Sequence, residues 1–121
     1  MRTPREVVED YNFELWNKQR YELADEIIAD TVIRHEIGAV ETLTREQSVH
    51  RIIDAWSRVE HLDFTLLRVI AEGELVSIVY QCQSRTHDGN EIAVGSIEVF
   101  RVVDGRICEV WNAAHTYAEW H

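Results

Sequence analysis

The hydrophobic period of this chain changes once, near Leu62, from the three-to-four spacing of a buried helix face to the alternation of strands. That single change dictates helices first and a sheet afterwards. Before it, Thr3, Pro4 and Glu6 place a hydroxyl at an N-cap, a proline at the first helical position and a carboxylate at the third. Val7, Val8, Tyr11, Leu15 and Trp16 follow as one inward stripe, up to the polar link from Asn17 to Arg20. Tyr21 to Ile28 forms a second short helix through Leu23, Ile27 and Ile28. Thr31 to Ile37 is β-rich and predicts a short strand that stops at Gly38. Thr44 with Gln47 repeats the capping box and opens a third helix, whose apolar face is Val49, Ile52, Ile53, Trp56 and Val59 and whose end falls near His61.

Beyond Leu62, Phe64 and Leu66 belong to one strand, Glu72-Gly73-Glu74 to a turn, and Val76, Ile78, Tyr80 and Cys82 to the inner face of the next. Asp88-Gly89-Asn90 turns the chain into a strand over Ile92 to Val103, and Asp104-Gly105 turns it again into Ile107 to Ala114. The expectation is a single α+β domain over residues 1–121, with an apolar pocket between helices and sheet. In the strand from Ile92 to Val103, Val94, Ser96, Glu98, Phe100 and Val102 share one face and Ala93, Gly95, Ile97, Val99 and Val103 the other. Both faces are largely apolar, so the outer one needs a second cover, and a homodimer packed through that face is expected.

A formal charge of −10, with twelve Lys and Arg among twenty-two acids, excludes a nucleic-acid binder and makes a polyanionic substrate unexpected. The first residues hold no apolar leader core, and no stretch reaches the roughly eighteen apolar residues of a membrane span, so a cytoplasmic protein without a membrane partner is expected. Cys82 and Cys108 lie far apart in strand-like segments and are expected as structural thiols. The six histidines show no H-x-H or H-x-x-x-H spacing, so no metal site is expected.

With these elements in order, the chain resembles the nuclear transport factor 2-like superfamily, and within it the ketosteroid-isomerase-like and polyketide-cyclase (SnoaL-like) branch. The residues that carry the resemblance are Asp30-x-Val32-x-x-His35-x-x-Gly38, the capped helix from Thr44, and Val99 to Ile107 followed by Glu109-x-Trp111. The resemblance implies a cone: three N-terminal helices packed on a strongly curved mixed, mostly antiparallel sheet. It fixes chemistry poorly, because this fold hosts isomerases, cyclases, hydrolases, dehydratases and binding modules.

Ketosteroid isomerases use a helix-1 tyrosine, a base ending the first strand and an acid deep in the sheet. The matching positions are Tyr11, His35 and Glu98, the last two standing where the family has aspartate. The resemblance therefore implies His35 as the base, with Tyr11 and a protonated Glu98 stabilising an enolate oxygen, and no cofactor. Trp56, Tyr80, Phe100, Trp111 and Asn112 are the expected substrate-binding positions. Asn112 and His115 stand where cyclases often carry an acid; on a regular strand they point to opposite faces, so at most one lines the pocket. The epoxide-hydrolase variant of the fold holds a water within an Asp-Arg-Asp set that has no inward match here.

Each assignment has a plainer counterpart. Tyr11 on a buried stripe fits an ordinary core tyrosine, and aromatic residues at these spacings fit simple core. A register slipped by one residue turns Glu98 out to solvent. Two function classes follow: a cofactor-independent isomerase or cyclase acting by proton transfer on a small, largely apolar carbonyl compound, or a non-catalytic module using the fold for small-molecule binding or dimeric assembly.

Overall fold

The computed structural model describes residues 1–121. Helix α1 spans Pro4–Asp10 and begins on the expected capping box: Thr3 Oγ1 accepts from the Glu6 amide at 3.1 Å while Glu6 Oε1 accepts from the Thr3 amide at 2.8 Å. Two amides that would otherwise lack partners are thereby satisfied. From Tyr11 to Trp16 the helix widens into a π-helical turn, in which the Asn17 amide donates to the Asn12 carbonyl five residues back. Such turns carry an extra residue and recur at functional sites. Here Tyr11, Asn12 and Leu15 all face inward. The apolar spacing alone gives no sign of the widening.

The end of this helix is pinned to the sheet by one side chain. Asn17 donates to the Phe64 carbonyl at 3.0 Å and accepts from the Phe64 amide at 2.7 Å. A 3₁₀ turn at Tyr21–Leu23 and the short α2, Ala24–Ile27, lead directly into strand β1, Ile28–Glu36. The second helix is therefore shorter than expected and the first strand starts earlier. Ile37 and Gly38, the latter with φ of 90°, make a two-residue hairpin into β2, Ala39–Thr44. This strand escapes sequence reading because its residues are nearly all exposed and show no period of two.

Helix α3, Arg45–Ser57, starts on the second capping box and buries Ser48 and Ile52. It stops earlier than expected, because β3 already begins at Val59 and runs to Glu72. Strands β4 (Leu75–Thr86), β5 (Glu91–Val103) and β6 (Arg106–Asn112) complete the chain's meander. The six strands lie in the order β2-β1-β6-β5-β4-β3, antiparallel except where β1 runs parallel to β6. Register shifts interrupt the β3–β4, β5–β6 and β1–β6 ladders, and such bulges bend a sheet around whatever packs on its concave side. The expected mixed, mostly antiparallel α+β cone is what forms.

On the concave side Val7, Val8, Leu15, Ile27, Ile52, Val76, Phe100 and Ile107 are essentially excluded from solvent. Burying such side chains contributes on the order of 1.5–3 kcal/mol each, which offsets the entropy of ordering the chain. Cys82 and Cys108 are both free, and burial pushes the Cys82 thiol up to about 12. The convex side is partly covered by the chain itself. After Ala113 the backbone pairs Thr116 with Gly95, and Trp120 then crosses β5, its indole N–H donating to the Tyr80 carbonyl at 2.9 Å and its amide to Gln81 Oε1 at 2.8 Å. A Cβ on Gly95 would stand 3.0 Å from the Trp120 indole nitrogen, so the missing side chain is what lets the tail lie down.

Replacing Asn17 by Ala should strip both Phe64 groups of their partner and cost about 1–3 kcal/mol. Urea denaturation checks this, with Lys18→Ala as the exposed control; equal midpoints for the two variants would mean that the Asn17 pin is dispensable.

Candidate active-site cavity

Between the π-helical turn, α3 and the concave face of the sheet lies a cavity of about 130 Å³. Its aromatic wall is Trp16, Phe64 and Tyr80, whose rings pack in series with centroids 5.1 and 5.4 Å apart. Its polar wall is Tyr11, Asn12, Arg34, Arg51, Glu98, Asn112 and His115. Glu98 is the single carboxyl among them.

Glu98 projects inward from the middle of β5, beside Ser96 and Phe100, and is only 8% exposed. Its partner is Arg34 on β1, whose Nη2 lies 3.3 Å from Glu98 Oε2. Both side chains are buried, so neither charge is tolerable without the other. Burial pushes the Glu98 carboxyl above its ordinary range, while the Arg34 and then the Arg51 charges pull it back only in part. For Arg34, burial opposes the charge, but Tyr11 and Glu98 outweigh it and hold the guanidinium in its charged form.

Tyr11 is 8% exposed and packs edge-on against Phe100 at 5.6 Å. Its hydroxyl makes no hydrogen bond within the protein, although no fully buried polar side-chain atom lacks a partner. The hydroxyl therefore borders open space, and Tyr11 lines the cavity. Desolvation raises the Tyr80 phenol, with Asn112 and Ser96 nearby working in the other direction. The Asn12 carboxamide is turned away, donating to the Val8 carbonyl at 2.9 Å.

The structure brings Tyr11, Glu98, Tyr80 and Asn112 together and leaves four other expected residues, His35, Trp111, Trp56 and Phe100, outside the cavity lining. His35 faces the opposite side of the sheet. Along strand β1, Val32 and Arg34 point inward and Ile33 and His35 outward, so the base implied by the resemblance lies on the wrong face. His35 stacks on Trp111 at 5.1 Å and 8°, and its Nε2 lies 2.6 Å from Glu109 Oε2. It cannot share a ligand atom with Tyr11 and Glu98. Trp111 likewise belongs to the outer face, where the Arg101 guanidinium lies 5.7 Å from its ring. Trp56 is not a wall of the cavity either; its indole N–H donates to the Trp16 carbonyl at 2.9 Å and so holds the cavity residue Trp16 from behind. Phe100 is fully buried core beneath Tyr11.

Sequence reasoning missed Asn12, Trp16, Arg34, Arg51 and Phe64 as cavity residues, and for Arg34 one signal pointed to it. A glutamate predicted inside needs a cation, and Arg34 is the arginine of the first strand. The opposite-face expectation for Asn112 and His115 also fails, because β6 ends at Asn112 and the irregular segment after it brings His115 back to the cavity.

A curved α+β cone with helices packed on its concave side is the fold of the nuclear transport factor 2-like superfamily. Within it, the SnoaL-like domain model matches residues 8–110, and the chain belongs to that family. No curated protein matches the sequence. Among solved structures, IdmH, a candidate polyketide cyclase from Streptomyces antibioticus, is similar at 18% identity, a TM-score of 0.80 and coverage of 94% of this chain and 92% of the other. An M. tuberculosis LEH-like epoxide hydrolase matches at 16% identity and 0.76, covering 91% and 80%. A protein with a ketosteroid isomerase-like fold from Catenulispora acidiphila matches at 17% and 0.71, covering 88% and 83%. Likeness at this level speaks for the fold, and the chemistry has to come from the cavity.

Arg34→Met should leave Glu98 buried and unpaired and cost about 3–5 kcal/mol, while Arg34→Met with Glu98→Gln should recover most of the loss. The pH dependence has a definite sign. With its pKa raised above 4.5, Glu98 holds its proton more tightly in the folded than in the unfolded chain, so its contribution favours folding at acidic pH and is lost as pH climbs from 4.5 through the raised value. Glu98→Gln should remove that slope from denaturation curves collected across this window; parallel pH profiles for the two proteins would contradict the assignment.

Proposed function

We propose that this protein is a cofactor-independent enzyme of the isomerase or cyclase type, which moves a proton next to the carbonyl of a small, largely apolar compound held in the cavity. The observation that carries this reading is a lone carboxyl, 8% exposed and raised by burial, facing a cavity that a tyrosine hydroxyl also borders. A base works best when its pKa approaches the working pH, and a buried carboxylate is closer to that than an exposed one. Glu98 takes the proton from the α-carbon. The Tyr11 hydroxyl donates to the oxygen on which negative charge develops, and Tyr80 and Asn112 stand on the same wall as further donors. Arg34 is a positioning residue: it holds the Glu98 carboxyl in place and offsets part of the burial that raises it. The size of the cavity agrees with a small substrate, since a void of roughly 150 Å³ suffices for benzene.

The test is deuterium exchange at the α-carbon of cyclohexanone and 3-cyclohexenone, followed by proton NMR. Wild-type protein should accelerate exchange, Glu98→Gln should lose at least about a hundredfold of that acceleration, and Tyr11→Phe should lose about tenfold or more. Circular dichroism should be unchanged in both. Exchange by wild-type protein no faster than buffer, or unaltered in Glu98→Gln, would overturn the proposal.

A dimeric arrangement is the second part of the reading. A groove of about 320 Å³ on the convex face is lined by His35, Ile37, Ile97, Val99, Trp111 and Ala113, and Ile97 is 44% exposed in the middle of a sheet. In a chain of net charge −10 most surfaces repel a second copy, whereas this apolar patch is complementary to itself. We therefore assign the convex face to a second copy of the chain. Light scattering at micromolar concentration should give twice the chain mass for wild type and the single mass for Ile97→Glu; a monomeric wild type would sink it.

A further inference from the structure

The charge inside the cavity runs against the charge of the chain. Of the twelve lysines and arginines, nine have a carboxylate partner within 4 Å, from Arg2 with Asp10 to Arg101 with Glu109. Arg68 and Arg106 hydrogen-bond to backbone carbonyls instead. Arg51 alone has neither, and it lines the cavity. It does so in an acidic protein with carboxylates to spare. Asp54, three residues further along α3, is within helical reach of Arg51, yet it pairs with Arg58 at 2.8 Å.

Arg51 stands one helical turn after the buried Ser48 and next to the buried Ile52, at the rim where α3 meets Tyr11 and Arg34. Inside, Glu98 is matched by Arg34. The Arg51 charge is therefore surplus, and the cavity carries one more positive than negative fixed charge. A small cationic recess in a chain of −10 does not attract anions from a distance, since the whole protein repels them. It acts at contact, where a guanidinium offers paired donors matched to a carboxylate.

We propose that the natural ligand of this cavity carries a carboxylate on a body no larger than a single ring or short chain, and that Arg51 is the residue that selects it. The inference rests on the cavity being the ligand site and names the substrate class for the proton transfer above: a keto acid or an aromatic carbonyl acid. The apolar body lies against Trp16, Phe64 and Tyr80, and the acid group reaches the rim. Such an orientation leaves Glu98 and Tyr11, deeper in, for the carbonyl. Placing the substrate's charge at Arg51 also keeps it off the Glu98 carboxylate, which it would repel.

The probe is benzoate against its neutral isostere benzamide, titrated into the full-length protein by NMR with the Tyr and Trp side-chain signals as reporters. Wild type should bind benzoate at least tenfold more tightly than benzamide, with the difference shrinking as salt is added. Arg51→Gln should bring the two within twofold, Arg51→Lys should keep part of the preference, and Arg58→Gln, on the same helix but paired and exposed, should keep all of it. Equal affinities in wild type, a preference that survives in Arg51→Gln, or benzoate shifts confined to residues outside the cavity would each overturn the proposal. A benzoate preference that depends on Arg51 in a protein that shows no α-proton exchange would sink the catalytic reading and leave this one standing. Exchange that depends on Glu98 without any carboxylate preference would do the reverse.

Discussion

The ion pair between Arg34 and Glu98 constrains everything around it. The two residues sit on β1 and β5, which are not neighbours; β6 runs between them. Two strand spacings amount to about 9.5 Å in a flat sheet. Contact at 3.3 Å across that interval needs a long side chain and a sheet bent toward its concave side. The bulges in the flanking ladders supply the bend, and the guanidinium supplies the reach. In turn the pair makes the cavity possible. A buried carboxylate alone would be expelled or neutralised, whereas a paired one stays inside, chemically available and fixed in direction.

The sequence discloses the layers of this fold more fully than its registers. Two capping boxes and the change of period announce α1, α3 and the meander, because both are local signals that tertiary structure does not override here. The inward placement of Glu98 is legible for the same reason: Val94, Ser96, Phe100 and Val102 share its face over a long strand. Strand β1 offers no such guide. Apolar residues fall on both of its faces, Val32 inside and Ile33 outside, so the pattern is equally compatible with His35 or Arg34 in the cavity. What decides is the chemistry of β5, two strands away, where a buried acid demands a cation. Trp56, Phe100 and Trp111 show the matching limit for aromatics. Their spacing places them on a face, and only packing decides whether they border space, support a neighbour or lie outside.

The charge pattern explains how an acidic protein keeps a cationic recess. Acids outnumber bases almost two to one, and nearly every base is engaged at the surface by a carboxylate. Exposed pairs of this kind contribute little stability. Three arginines, Arg51, Arg68 and Arg106, are left without a carboxylate partner, and of these Arg51 is the one that lines the cavity. Arg51, an exposed residue at the cavity rim, is left unpaired while Asp54 pairs with Arg58.

Cavity and convex face are two sides of the same strands, and this couples them. Along β5, Ser96 and Glu98 point inward while Ile97 and Val99 point outward, and along β6 Val110 and Asn112 alternate with Trp111 in the same way. The convex groove and the cavity are therefore separated by one thickness of backbone. The C-terminal segment joins the two sides more directly: His115 lines the cavity, and five residues later Trp120 lies over Gly95 on the outside. A protein interior at crystalline packing density transmits shifts rather than absorbing them. The Arg34–Glu98 pair thus sits on strands whose other face carries the exposed Ile97 and the C-terminal segment.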